Sequence, residues 1–155
     1  MQRTRIFLAA LLACGASLLG TALAQGASPS AHAARAAKVT LRHTRLGNIL
    51  ATSSGFTLYE FTRDHGASNS CVRISGCSES WPALTTSGRP TAGPGVKASL
   101  LSSTRISGGK TQVTYAGHPL YLYSGDSGPG ETSYVGESMF GGRWYALSAS
   151  GGAVR

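Results

Sequence analysis

The sequence predicts an all-β domain: two pseudo-repeated antiparallel meanders packed as a small sandwich or incomplete barrel. Three observations lead there. First, Leu58-Tyr59-Glu60-Phe61-Thr62-Arg63-Asp64 is echoed by Leu120-Tyr121-Leu122-Tyr123-Ser124-Gly125-Asp126, at an offset of 62 residues (126 minus 64). Second, Trp81-Pro82-Ala83-Leu84 is echoed by Trp144-Tyr145-Ala146-Leu147, at an offset of 63 (144 minus 81). Third, the segments between them alternate apolar and polar residues in short runs broken by Gly, Asn, Ser and Pro, as strands joined by turns do.

The first of the 155 residues read as targeting, not fold. Residues 1–24 resemble an export signal. Arg3 and Arg5 give a positive start, 6–23 are almost entirely apolar or small, and Ala22-Leu23-Ala24 offers small residues for cleavage. Gly15, Ser17, Gly20 and Thr21 interrupt the apolar run, which argues against a retained membrane helix. The competing reading is lipidation at Cys14 within Leu11-Leu12-Ala13-Cys14-Gly15. An acylated Cys14 would tether the domain to a membrane, the one route to a bilayer that the chain offers. Either way the protein is expected to be exported, extracellular or at the cell envelope. Residues 25–37, which after Gln25 are Ala, Ser, Gly, Pro and His with one Arg, read as a flexible linker.

The two-repeat β domain is expected over 38–155, with repeats at about 38–84 and 101–147. Val39, Leu41 and His43 alternate with Thr40, Arg42 and Thr44, which predicts a strand. Gly47-Asn48 and Ser53-Ser54-Gly55 read as turns that place further strands at 49–52 and 56–62. In the third strand Tyr59 and Phe61 share a face, and Asp64 stands past its end, where it can fix the exit turn. Residues 65–80 read as a loop pinned by a disulfide, and 87–95, dense in Gly and Pro, as the connector between halves. A helical turn is expected at 96–101. The second half repeats the plan with strands at 103–107, 112–115, 120–124 and 143–148, and Tyr121 and Tyr123 share a face as Tyr59 and Phe61 do. Each half is too small to bury a lasting core alone, so the halves are expected to pack together about an approximate two-fold axis.

Cysteine use and charge bound the chemistry. With Cys14 removed or acylated, Cys71 and Cys77 remain, and export favours a disulfide between them. Their C-x5-C spacing is not a zinc pattern. Fourteen Lys and Arg face six Asp and Glu, and without Arg3 and Arg5 the balance is twelve against six, or +6. That excess suits anionic partners such as teichoic acids, acidic glycans or lipid head groups, or it only keeps the domain soluble. Basic residues interleaved with aromatics do not form a stripe, so nucleic acid is not expected.

The combined motifs resemble a known family. Tyr59-Phe61-Asp64 and Tyr121-Tyr123-Asp126 both fit Tyr-x-(Phe/Trp/Tyr)-x-x-Asp. With Cys71, Cys77, Ser80-Trp81-Pro82-Ala83-Leu84 and Tyr115-Ala116-Gly117-His118-Pro119-Leu120-Tyr121, they resemble the bacterial secreted repeat of unknown function, predicted lipoproteins with this motif. The resemblance covers about residues 45–150. It implies export or a lipid anchor and no particular chemistry.

The candidate site is the duplicated motif. Tyr59, Phe61, Tyr121 and Tyr123 are expected either to line a groove for a sugar or a flat aromatic ring, with Asp64 and Asp126 at its ends, or to be core rings and turn caps. A carboxylate pair for glycoside hydrolysis is a third reading of Asp64 and Asp126. His43, His65 and His118, with His32 in the linker, could serve a metal or redox role, but they form no metal-binding spacing, so no metal or cofactor is expected. There is no G-x-S-x-G nucleophile elbow and no phosphate-loop setting. The expected role is therefore a non-catalytic binding or structural module. A metal- or redox-associated envelope protein is the alternative, and a secreted hydrolase ranks behind both.

Overall fold

A computed structural model describes residues 36–155. The expected export signal, Cys14, His32 and nearly all of the expected linker lie outside the described residues. The domain is all-β, with three small sheets, none of them closed.

The first sheet has the order β2-β1-β4. Strand β1 (Lys38–Thr44) pairs antiparallel with β2 (Gly47–Thr52), from Val39 opposite Thr52 to Thr44 opposite Gly47. The turn therefore falls at Arg45-Leu46, two residues earlier than Gly47-Asn48. The Thr44 hydroxyl explains the shift: it accepts from the Leu46 N–H and donates to the Gly47 carbonyl, closing the loop locally. Strand β4 (Thr91–Ala92) lies parallel to β1. The Gly/Pro connector thus adds an edge strand, with Gly93 where a Cβ would stand 3.2 Å from the Val39 carbonyl oxygen.

The second sheet joins β5 (Leu101–Arg105), β6 (Thr111–Tyr115) and β7 (His118–Pro119) in that order. Ala116 and Gly117, with φ of 50° and 85°, form the β6–β7 turn, a two-residue connection of the kind that matches strand twist. His118 and Pro119, which fall between the expected strands 112–115 and 120–124, are already paired with Tyr115 and Thr114. A 3-10 turn at Ala98–Leu100 leads into β5, as the helical turn at 96–101 anticipates.

The third sheet runs β10-β9-β3, with β8 also on β9. It contains β3 (Tyr59–Phe61), β8 (Ser138–Met139), β9 (Gly142–Leu147) and β10 (Ala153–Val154). Here the halves interleave. Strand β3 of the first half pairs with β9 of the second, Phe61 opposite Trp144 and Tyr59 opposite Ala146. In the reverse sense, Tyr121 of the second half bridges Ala83 of the first, and Leu122 N–H reaches the Pro82 carbonyl at 2.9 Å. Tyr59 and Tyr121 then pair with each other, each N–H donating to the other's carbonyl at 2.9 Å. The halves are joined edge to edge through exchanged strands, not only face to face. As regular strands the signature segments are shorter than 56–62 and 120–124: β3 spans Tyr59–Phe61, and Tyr121 makes isolated bridges, while the flanking residues are held by single backbone bonds.

Contacts recur with the halves exchanged. Thr62 N–H to Arg143 carbonyl (3.0 Å) matches Ser124 N–H to Ser80 carbonyl (2.9 Å). Leu58 N–H to Leu50 carbonyl (3.0 Å) matches Leu120 N–H to Val113 carbonyl (2.9 Å). The bridge from Ile49 to Ser148 matches that from Gln112 to Thr85. These pairs express the two-fold relation that the motif spacing implies.

Two clusters fill the interior. Val39, Leu50, Leu58, Val113, Tyr115, Leu120 and Leu147 form an aliphatic one. Tyr59, Phe61, Trp81, Tyr121 and Trp144 form an aromatic one together with Cys71 and Cys77. The cysteines make the expected disulfide, Cα to Cα 5.3 Å. Their segment is not plain loop: a 3-10 turn (Cys71–Arg73) and one turn of α-helix, α1 (Cys77–Ser80), flank the bridge. The Trp81 N–H caps α1 on the Cys77 carbonyl at 2.7 Å, so the disulfide segment aims the indole inward.

Trp81 and Trp144 stack at 3.9 Å between centroids, 3° from parallel. Replacing a buried Trp by Ala costs about 3–5 kcal/mol. Trp81→Ala and Trp144→Ala should each fall in that range in urea unfolding, with the double variant less destabilised than the sum because the rings touch. Strict additivity would show that the pair does not act as one unit.

Candidate functional site

Strand pairing sets the aromatic geometry. Phe61 lies opposite Trp144 and stacks on it at 4.1 Å. Tyr123 meets Trp81 at 4.3 Å in the equivalent place. Tyr59 stands edge-on to Trp81 and Tyr121 edge-on to Trp144, both at 5.1 Å. Tyr134 extends the stack beyond Tyr123 at 3.9 Å. The result is a column of stacked and tilted rings in the order Phe61, Trp144, Trp81, Tyr123, Tyr134, flanked by Tyr59 and Tyr121 in the edge-on contacts that aromatic quadrupoles favour.

The phenols then cross between halves. The Tyr121 hydroxyl donates to Asp64 Oδ2 at 2.7 Å. The Tyr59 hydroxyl donates to Asp126 Oδ1 and Oδ2, both at 3.2 Å. Each half supplies the carboxylate that satisfies the buried phenol of the other. Asp64 also accepts from the Ser70 N–H at 2.7 Å, so it holds the exit turn as expected.

Burial drives the electrostatics. It raises both phenols well above the ordinary tyrosine range, with the facing carboxylates adding to the effect, so both stay protonated donors. Burial also raises Asp64, against the opposing bonds from Ser70 and Tyr121. Asp126 is pushed up to about 6 by burial, and Glu131 nearby adds to the rise while the Tyr59 bond resists it.

The candidate residues therefore come together, but not as walls of one groove. Tyr59, Phe61 and Tyr121 are at most 2% exposed. Tyr123, Asp64 and Asp126 are half-buried and form the reachable edge. His43 is exposed and contacts the Asn48 side chain at 3.2 Å, and His65 is exposed in the disulfide segment. Among the described residues, no three His, Cys, Asp or Glu side chains gather as a metal site would require.

Two polar features escaped sequence reasoning. Glu60, between two buried rings and itself 7% exposed, meets His118 Nδ1 at 2.6 Å. Burial raises its carboxyl, and His118 opposes the rise. The signal was a charge where the other repeat carries Leu122. Gln112, fully buried, takes a bond from the Asn69 amide at 2.7 Å and gives one to the Leu120 carbonyl at 2.9 Å. It stands where the first half has Ile49 and ties the disulfide segment to the second half.

Two measurements follow from this geometry. Tyr121→Phe breaks a short bond to a carboxylate and should cost about 1.5–3 kcal/mol, while Tyr59→Phe, with longer contacts, should cost about 0.5–1.5 kcal/mol. Equal costs in chemical denaturation would contradict the asymmetry. The pH dependence follows from Asp126, whose pKa is raised on folding. The folded state then binds the proton more readily than the unfolded chain, so this term adds stability as pH falls from about 6 towards the ordinary aspartate value and loses it as pH rises through 6. Asp64 and Glu60 act with the same sign, and Glu131, held low by Ser133, acts in the opposite sense at lower pH. Asp126→Asn should flatten the rise in melting temperature across that window, and an unchanged profile would assign the slope elsewhere.

No helix among the described residues is long and apolar enough to cross a membrane. No curated protein and no solved structure matches the chain. Residues 104–148 match the family model described as a secreted repeat of unknown function, the family that the duplicated motif resembles.

Proposed function

We propose that the chain works outside the cytoplasm as a non-catalytic module of the cell envelope, binding or organising another component there. One observation carries this reading. Both copies of the signature motif are spent on joining the halves, with phenols and carboxylates paired across the interface. Groups committed in this way hold a fold and leave recognition to the surface around them. The signal-like residues 1–24 and the linker-like 25–37 agree with export, and the matched family is described as secreted.

A second reading, a redox- or metal-associated envelope protein, draws on the aromatic column. Its rings run in continuous contact from buried Phe61 to half-buried Tyr134. The hydrolase reading has less support, because Asp64 and Asp126 each already hold a phenol.

Elemental analysis and an ultraviolet–visible spectrum of protein purified from its native envelope separate these readings. The binding-module reading expects no stoichiometric metal and no band beyond aromatic absorption. A stoichiometric metal or a visible chromophore would replace it with the second reading.

A further inference from the structure

We infer that a basic cleft between the two halves, lined by none of the signature tyrosines or aspartates, binds a phosphodiester polymer. This rests on the binding-module reading and names the ligand class for it. The cleft encloses about 550 Å³ between the disulfide segment of the first half and the end of β5 in the second. A second recess of about 310 Å³ continues it, and Val72, Ile106 and Ser107 line both.

Charge identifies the occupant. Arg73 and Arg105 line the first recess and Lys110 the second, all three exposed, and no Asp or Glu lines either one. Among the described residues, no side-chain hydrogen bond or salt bridge occupies these three cations. Arg73 is close enough to Asp64 to favour its charged form, and Asp64 is itself held by Tyr121 and Ser70. Three other acidic residues are engaged elsewhere, Asp126 with Tyr59, Glu60 with His118, and Glu131 with the turn at Thr132 and Ser133, while exposed Glu79 follows Ser78 at the rim of the second recess.

Geometry narrows the class. The cations come from two walls, Arg73 from the disulfide segment and Arg105 from the end of β5. A tetrahedral phosphate presents oxygens towards both walls, and a guanidinium fork matches such oxygens well. Between the cations lie apolar Val72, 38% exposed, and Ile106, which suit the carbon spacer between successive phosphates. An array of cations across two joined recesses suits a polymer better than a single small anion.

The test is binding of a synthetic glycerol phosphate oligomer at physiological salt, where charges farther than about 8 Å are largely screened. The full mature protein is compared with Arg73→Ala/Arg105→Ala/Lys110→Ala. A control with the same charge loss, Lys38→Ala/Arg89→Ala/Lys97→Ala, changes exposed cations outside both recesses. The cleft variant should bind at least tenfold more weakly, and the slope of log affinity against log salt should fall by about two to three, near one per cation removed. The control should stay within about twofold. Melting curves check that each variant folds, and Arg105→Glu alone should weaken binding more than Arg89→Glu. Equal losses in the two triple variants would overturn the cleft in favour of diffuse charge. Equal affinity for polygalacturonate would overturn the phosphate assignment, and equal affinity for phosphatidylglycerol vesicles would make the surface a membrane contact. No binding by the unmodified protein would remove the cleft but leave the non-catalytic reading to the metal and chromophore measurements.

Discussion

Neither half of this domain can bury its own signature tyrosine. Tyr59 finds its acceptor on Asp126 and Tyr121 on Asp64, while their backbones pair with each other at the centre. A buried phenol without an acceptor is expensive, and a half of roughly fifty residues has too little core to tolerate it. Folding therefore couples the halves: each completes the other's hydrogen bonds before either interior is dry. The stacked tryptophans add the packing that makes this junction the centre of the molecule.

Repetition and departure from it separate what the fold needs from what is free to vary. The tyrosines, the aspartates, the tryptophans and the backbone bonds around them occur twice in equivalent places. The disulfide segment, Glu60 with His118, and Gln112 with Asn69 have no equivalent in the opposite half. The Gln112–Asn69 pair lies where the first half's disulfide segment meets the second half's sheet. The basic cleft lies at the same junction. A duplicated domain that acquires recognition is expected to do so where its symmetry is already broken.

The elements differed in how legible they were. Strands β1 and β6 were legible by alternation, although burial follows it loosely: in β1 only Val39 is buried, and in β6 both faces are, from Gln112 to Tyr115. The two-fold relation was legible because the motifs recur at a nearly constant offset. Strands β4, β8 and β10 were not legible, since two residues in a Gly/Pro-rich stretch carry no periodicity and are ordered only by the strand they meet. The turn at Arg45-Leu46 was missed because the Thr44 hydroxyl outweighs the glycine that follows. Among the motif residues, spacing showed that Tyr59 and Phe61 share a face, but it could not show that this face is covered by Trp144 and Trp81.

The sequence by itself determined the class of fold, the duplicated plan, the disulfide partners and the pairing of rings on common faces. These follow from local periodicity, turn residues and the short list of cysteines. Only the tertiary structure decided that the halves exchange strands, that each aspartate serves the opposite tyrosine, and that Arg73 and Arg105 line one cleft. Such contacts join residues tens of positions apart, and no local preference of the backbone specifies which distant edge a strand will meet.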